Sequence, residues 1–341
     1  MARGGWSIAA RLAVLLLGLL SAGSAWAAAF TDAAGRHVEL PAQIEHVLAA
    51  GPPAAVLLYT LAPDKLIGWS EPLAPDTRRL LPVRYGDLPV VGRLTEKGGL
   101  TAAAVAALHP DLVVDVGDVN PRYAKLADEI EKRTGIPYIL LDGRLAATAS
   151  TYLALGRVLG AEGRGAMLAG YAWRVLDGLQ ARLASVPAGQ RPRAYYARSP
   201  NGLTTGATRS LVGEFLTVAG AVNVGQGGGG LTRTSLAQVA AWDPEVLVVL
   251  GPAVYRRIMG DPGWAGLRAR RAGRVYLAPE APFGWIDEPP GVNRLLGVQW
   301  LAAKLYPGAA DIAAAARDFC ARFYQVELSA AEIDRMLAPP P

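Results

Sequence analysis

Residues 105–117, VAALHPDLVVDVG, align without a gap on residues 239–251, VAAWDPEVLVVLG. Each copy reads as the end of a helix, a proline break, a buried strand and a glycine. Pro110 and Pro244 cannot continue a helix, because proline lacks the amide hydrogen and its ring clashes with the preceding turn. Gly117 and Gly251 end the strands where the backbone must turn or leave room for something. A gapless match of this length predicts two similarly built lobes, and two lobes of one design leave a cleft between them.

The rest of the chain fits that frame. Apolar runs at 46–50, 65–69, 112–116, 138–141, 194–197, 246–250 and 274–277 alternate with helical spacing at 56–61 and 122–132. That alternation is the pattern of βαβ units and parallel sheets. Between the two copies, after a break at 160–163, Leu168, Ala172, Val175, Leu176, Leu179 and Leu183 recur on one helical face. A helix over 164–186 would be about 34 Å long at 1.5 Å per residue, enough to span the backs of two small domains. Pro187 and Pro192 close it. The predicted fold is α/β, two Rossmann-like lobes with parallel sheets joined by a single long rigid helix. The predicted limits are 28–146 for the first lobe, 147–186 for the helical linker and 187–341 for the second lobe.

Residues 1–27 read as an export signal. Arg3 and Arg11 precede the apolar run 12–20, which is short of the roughly 20 residues a spanning helix needs. It leads into Ser24, Ala25, Trp26 and Ala27, with small residues where a signal peptidase reads, so cleavage is expected after Ala27. The alternative is a retained N-terminal anchor. No cysteine lies near this site, so the expected product is periplasmic, monomeric and free of a lipid anchor. Cys320 is the only cysteine, which excludes an intrachain disulfide. Removing residues 1–27 takes away two arginines and no acid, lowering the formal charge from +5 to +3. So small and evenly spread an excess does not describe a nucleic-acid binder, whose basic residues cluster.

Five stretches carry a family resemblance: residues 30–41, beginning FTD and ending VELP; LIGW at 66–69; VGR at 91–93; both repeats; and FGWIDEPPGVNRL at 283–295. Together they resemble the substrate-binding proteins of ABC importers for ferric siderophores, haem and cobalamin. The last stretch resembles the branch of iron or metal-chelate receptors that includes molybdate and tungstate binders. The resemblance implies little hinge closure, a ligand held between the lobes, transfer to an inner-membrane permease, and an outer-membrane receptor system upstream. Relatives commonly carry a glutamate on each lobe that pairs with permease arginines, whereas the corresponding residues here are Ala103 and Ala237. Docking then falls to other acids, such as Glu96, Glu129 or Glu214, or to a permease without those arginines.

Ligands of open α/β sheets sit beyond the carboxyl ends of the strands. The corresponding loops are 51–54, 69–71, 92–94, 117–120, 198–203, 225–233 and 282–285. They offer Arg93, Arg198 and Arg233 as cations and Trp69, Tyr196 and Trp285 as flat faces. Guanidinium forks suit carboxylate, catecholate or oxoanion oxygens, and aromatic rings suit the apolar parts of an organic chelate. Arg294 and Asn293 open a helix whose free amides could face an anion; Arg294 equally could pair with Asp287 or Glu288 and hold the loop. The glycines of 227–230 lack the lysine of a phosphate loop and read as a weak oxoanion cradle.

His37, His46 and His109 are not at ligand spacing, so no metal site, no cofactor and no bare metal ligand is expected. There is no Gly-x-Ser-x-Gly elbow, no Cys–His pair and no His-Glu-x-x-His, so no catalytic residue is assigned. The expectation is a receptor for an anionic metal chelate, a ferric siderophore first. Molybdate or tungstate stands second, haem or a corrinoid third, and a periplasmic hydrolase is the alternative of a different class.

Overall fold

Strands that are apolar along their whole length need cover on both faces, and this chain supplies it with helices. The computed structural model describes residues 26–95, 98–227 and 229–338. The first lobe opens with an antiparallel ribbon of β1 (Trp26–Thr31) and β2 (His37–Pro41). There follow β3 (Val47–Ala49), α1 (Pro52–Leu61), α2 (Pro75–Leu80), α3 (Ala102–Ala107), β4 (Leu112–Gly117), α4 (Pro121–Thr134) and β5 (Tyr138–Asp142). β4 pairs in parallel with β3 on one side and β5 on the other. Leu112, Val114 and Val116 enter the main core, while Val113 joins Leu48, Tyr138 and Leu140 in a smaller one.

α5 (Thr148–Val158) and the 23-residue α6 (Glu162–Ala184) lead to the second lobe. Its elements are β6 (Arg193–Ala197), β7 (Thr204–Gly206), α7 (Glu214–Val218), β8 (Val222–Asn223), β9 (Leu231–Arg233), α8 (Leu236–Trp242), β10 (Val246–Val249), α9 (Pro252–Gly260) and β11 (Val275–Leu277). The sheet order is β11-β10-β6-β8, all parallel, with β7 and β9 as a separate antiparallel ribbon. α10 (Arg294–Leu305) and α11 (Ile312–Phe319) follow.

The repeat folds the same way twice. Thr101 and Ser235 cap α3 and α8 by accepting hydrogen bonds from the amides of Ala104 and Gln238. His109 and Asp243, each just before its proline, both turn the chain with a positive φ, 49° and 41°. β4 and β10 are interior strands of their sheets.

The structure departs from the sequence expectations in three places. Run 65–69 is not a strand: it makes only isolated bridges, Val47 to Leu66 and Trp69 to Val90. The long helix begins and ends two residues earlier than its apolar face suggests. Beyond Phe319 the chain returns to the first lobe, where a π-helical turn, Cys320–Tyr324, packs on α1 and α5. There Tyr59 Oη donates to the Tyr324 carbonyl at 2.5 Å, and Phe323 packs edge-on against Tyr152. Residues 1–25 of the expected export segment lie outside the described residues, and its last two, Trp26 and Ala27, begin β1.

A buried cation ties the lobes together. Arg294 is 1% exposed and opens α10. It donates from Nη1 to Glu214 Oε1 (2.6 Å) and to the Leu211 carbonyl (2.7 Å), from Nε to the Gly291 carbonyl (3.1 Å), and from Nη2 to the Gly143 carbonyl just past β5. Glu214 also accepts from the Leu145 amide at 2.8 Å, so the pair reaches both lobes from both sides. Asp287 and Glu288, the expected partners of Arg294, are taken by Arg198 instead. Gly143 is required at this junction: a Cβ there would stand 2.7 Å from Gly117 Cα and 3.0 Å from the Leu211 side chain.

Removing one member of a buried ion pair leaves the other without compensation, which costs about 3–5 kcal/mol. Arg294→Met is therefore expected to lower the unfolding free energy by about that much in chemical denaturation. A loss below about 1 kcal/mol would show that the clamp does not hold the lobes.

β4 also carries a carboxylate, Asp115, where β10 has Val249. It is buried and accepts from Tyr138 Oη at 3.1 Å. Burial pushes its pKa from 3.8 up to about 6, with the hydrogen bonds from Tyr138 and the Val116 amide pulling only part of the way back. Between these values the native state keeps a proton that the unfolded chain has released, so stability falls as pH rises through that window. The loss is on the order of 3 kcal/mol, and Asp115→Asn should flatten the slope between about pH 4 and about pH 6 in denaturation series.

Candidate functional site

The two lobes face each other across a cleft of about 610 Å³. Its first wall is built by Pro52 and Pro53 at the start of α1, by residues 69–71, by Thr77 on α2 and by Arg93. Its second wall comes from Arg198 just past β6, from Glu280, and from the loop carrying Phe283, Asp287 and Glu288.

Aromatic rings form the floor. Trp69 and Phe283 come from opposite walls with ring centroids 5.7 Å apart, and Tyr59 lies behind both at 5.6 and 6.3 Å. Trp69 is fixed by donating Nε1 to the Tyr85 carbonyl at 2.8 Å. The Phe283 loop is fixed from across the cleft, where Thr77 Oγ1 donates to the Pro282 carbonyl.

Charge lies above the floor, and it is already paired. Arg93 donates to Glu71, an ion pair within the first wall. Arg198 stands 2.9 Å from Asp287 Oδ2 and 3.1 Å from Glu288 Oε1. Asp287 is buried and also accepts from Tyr196 Oη (2.8 Å) and from the Glu288 amide (2.8 Å). Burial works against the Arg198 charge, but Asp287, Tyr196 and Glu288 outweigh it and hold the guanidinium protonated. Burial and the Asp287 charge keep the Tyr196 phenol neutral. Among the described lining residues there are two guanidiniums, Arg93 and Arg198, and four carboxylates, Glu71, Glu280, Asp287 and Glu288. The arginines do not make this an anion-attracting cleft as it stands.

Of the sequence-predicted site residues, the structure brings Trp69, Arg93 and Arg198 to the cleft. It places four elsewhere. Tyr196 is fully buried in β6, where its ring packs edge-on against Phe215 and its hydroxyl serves Asp287. Trp285 is 1% exposed, and a Cβ at Gly297 would strike its carbonyl, so it is a core residue under α10. Arg294 is the clamp between the lobes. Arg233 is exposed on the β7–β9 ribbon and does not line the cleft. Loops 117–120 and 225–233 do not line it either, and Gly228 lies outside the described residues.

Three cleft residues escape sequence reasoning. Phe283 and Trp285 flank Gly284, and only the fold decides which of the two rings meets the cleft. Glu280 carries no signal beyond its charge. Ser70 lies inside loop 69–71 but between two more conspicuous residues. It is 3% exposed, lines the cleft, and its Oγ has no hydrogen-bond partner among the described residues.

Residues 75–282 match the family model for periplasmic binding proteins. The chain belongs to this family. Its fold is similar to an ABC transporter solute-binding protein from Sulfurospirillum deleyianum, 30% identical, with a TM-score of 0.81 over 90% of this chain and 98% of that one. The molybdate-binding protein MolA of Haemophilus influenzae is 33% identical over 150 residues, a match that covers 42% of this chain and 42% of that protein. The structure of MolA bound to molybdate shares the fold at a TM-score of 0.72 and 23% identity, covering 89% of this chain and 99% of that one.

Ala103 and Ala237 are exposed in the first turns of α3 and α8. Glu214 is occupied by the clamp, Glu129 is exposed on α4 with Lys125 3.8 Å away, and Glu96 lies outside the described residues.

A buried hydroxyl without a partner loses its hydration for nothing until a ligand supplies a hydrogen bond. Ser70→Ala should therefore leave thermal stability unchanged or raise it by up to about 1 kcal/mol, while weakening ligand binding about threefold to tenfold. A stability loss above about 1 kcal/mol in melting experiments would make the hydroxyl structural instead.

Proposed function

We propose that this protein is the exported solute-binding component of an ABC importer, that it holds a metal chelate in the inter-lobe cleft, a ferric siderophore first, and that it passes the chelate to an inner-membrane permease. In this reading residues 1–27 are removed after Ala27, no lipid anchor is attached, and the mature protein acts as a periplasmic monomer without enzymatic activity. The limits 28–146, 147–186 and 187–341 describe its lobes and linker in the same sense, with the chain past Phe319 returning to the first lobe.

The observation that carries the ligand class is the floor. A cleft of about 610 Å³ falls within the roughly 300–1,000 Å³ that small organic ligands occupy. Trp69 and Phe283 give it apolar aromatic surface from both walls, suited to the organic framework of a chelate. Ligand-facing roles are assigned to Trp69, Arg93 and Arg198 and are withdrawn for Tyr196, Arg233, Trp285 and Arg294. The haem or corrinoid reading is weakened with them, since it leaned on Tyr196 and Trp285 as flat faces.

Molybdate is the second reading, supported by the 33% identity to MolA over part of the chain. Here Arg93 and Arg198 would receive the oxoanion, which must first displace Glu71 and Glu288. A hydrolase has no support in the site.

Trp69 reports on the floor. Titration with ferric siderophores, molybdate, haem and cobalamin should give quenching of tryptophan fluorescence by a ferric chelate, and Trp69→Phe should remove most of that change. Binding of molybdate with indifference to every chelate would contradict the first reading and leave the second.

A further inference from the structure

We propose that the cleft selects a chelate bearing a cationic arm, and that Glu280 and Glu288 on the second wall receive it. The proposal rests on the metal-chelate reading and adds the sign of the cargo's charge.

The second wall carries more acid than its one guanidinium can compensate. Arg198 is committed to Asp287 and Glu288, and of these Asp287 is buried and tied in addition to Tyr196. Glu280 lines the same wall, is exposed, and has no ion-pair or hydrogen-bond partner among the described residues. Its carboxyl is raised above the usual range by partial burial and then by the charge of Glu288, so the two carboxylates repel across the wall. Glu288 is held with φ at +55°, in the left-handed region that residues other than glycine rarely adopt.

The first wall also leaves one polar group for a ligand. Ser70 Oγ, buried on the first wall without a partner, can accept or donate a hydrogen bond. A chelate lying on Trp69 and Phe283 with an ammonium at the second wall would satisfy Glu280 and relieve its repulsion with Glu288. A polyanionic chelate would add a third like charge there and would have to break the Arg198–Glu288 pair to gain a cation.

The test compares two ferric tris-hydroxamate complexes of one framework, the first with a free ammonium arm and the second with that arm acetylated, against the full mature chain in a fluorescence titration at low salt. The ammonium form is expected to bind at least about fivefold more tightly, and Glu280→Gln to bring the ratio within about twofold. Equal binding of the two forms by the unmodified protein, tighter binding of the acetylated form, or a ratio untouched by Glu280→Gln would overturn the proposal alone. Binding of neither complex would overturn the metal-chelate reading together with it.

Discussion

The buried guanidinium of Arg294 is the interaction on which the cleft depends. Taking a charge out of water is costly unless every donor finds an acceptor and the charge finds a counter-charge. Arg294 comes close to that, with Glu214 as its counter-charge and four of its five N–H groups donating to acceptors from separate parts of the chain: Glu214 and Leu211 in the second lobe, Gly143 just past β5, and Gly291 before α10. Moving one lobe against the other would strand a buried charge. The walls are further joined by the Thr77–Pro282 hydrogen bond, the Trp69–Phe283 contact and the return of residues 320–324 onto α1. In the proposed reading, recognition works on walls that are already in place, and selectivity comes from the chemistry those walls present.

That chemistry is set by pairing more than by residue type. Two arginines at a cleft suggest an anion, yet each here has a carboxylate at contact distance within its own wall. A committed guanidinium offers less to a ligand than a free one, because a new anion must replace an existing partner. Beside the paired guanidiniums of Arg93 and Arg198, the cleft presents the aromatic floor, the Ser70 hydroxyl and the carboxylate of Glu280.

The fold was legible where local chemistry and pattern agree. The repeat predicted two units of one design, and the structure repeats even the caps Thr101 and Ser235 and the left-handed turns at His109 and Asp243. Run 65–69 misled because an apolar stretch bounded by turns satisfies the strand pattern whether or not a neighbour pairs along its length. The site was legible at the level of loops and much less at the level of side chains. Arg294 and Glu214 are 80 residues apart, and nothing local announces that they meet. Phe283 and Trp285 look interchangeable in the sequence, but the tryptophan ring is buried and donates Nε1 to the Ala281 carbonyl, while the phenylalanine meets the cleft. Tyr196 was misplaced because a strand residue just short of the carboxyl end still faces the core.

The central claim is that a metal chelate sits between fixed walls. Anomalous diffraction at the iron edge, from crystals grown with a ferric hydroxamate complex, tests it most directly. The account predicts an iron peak inside the cleft above Trp69 and Phe283, with the Arg294–Glu214 pair intact and the lobes in the same relative position as without ligand. Iron bound elsewhere on the surface, or lobes rotated with that pair broken, would contradict it.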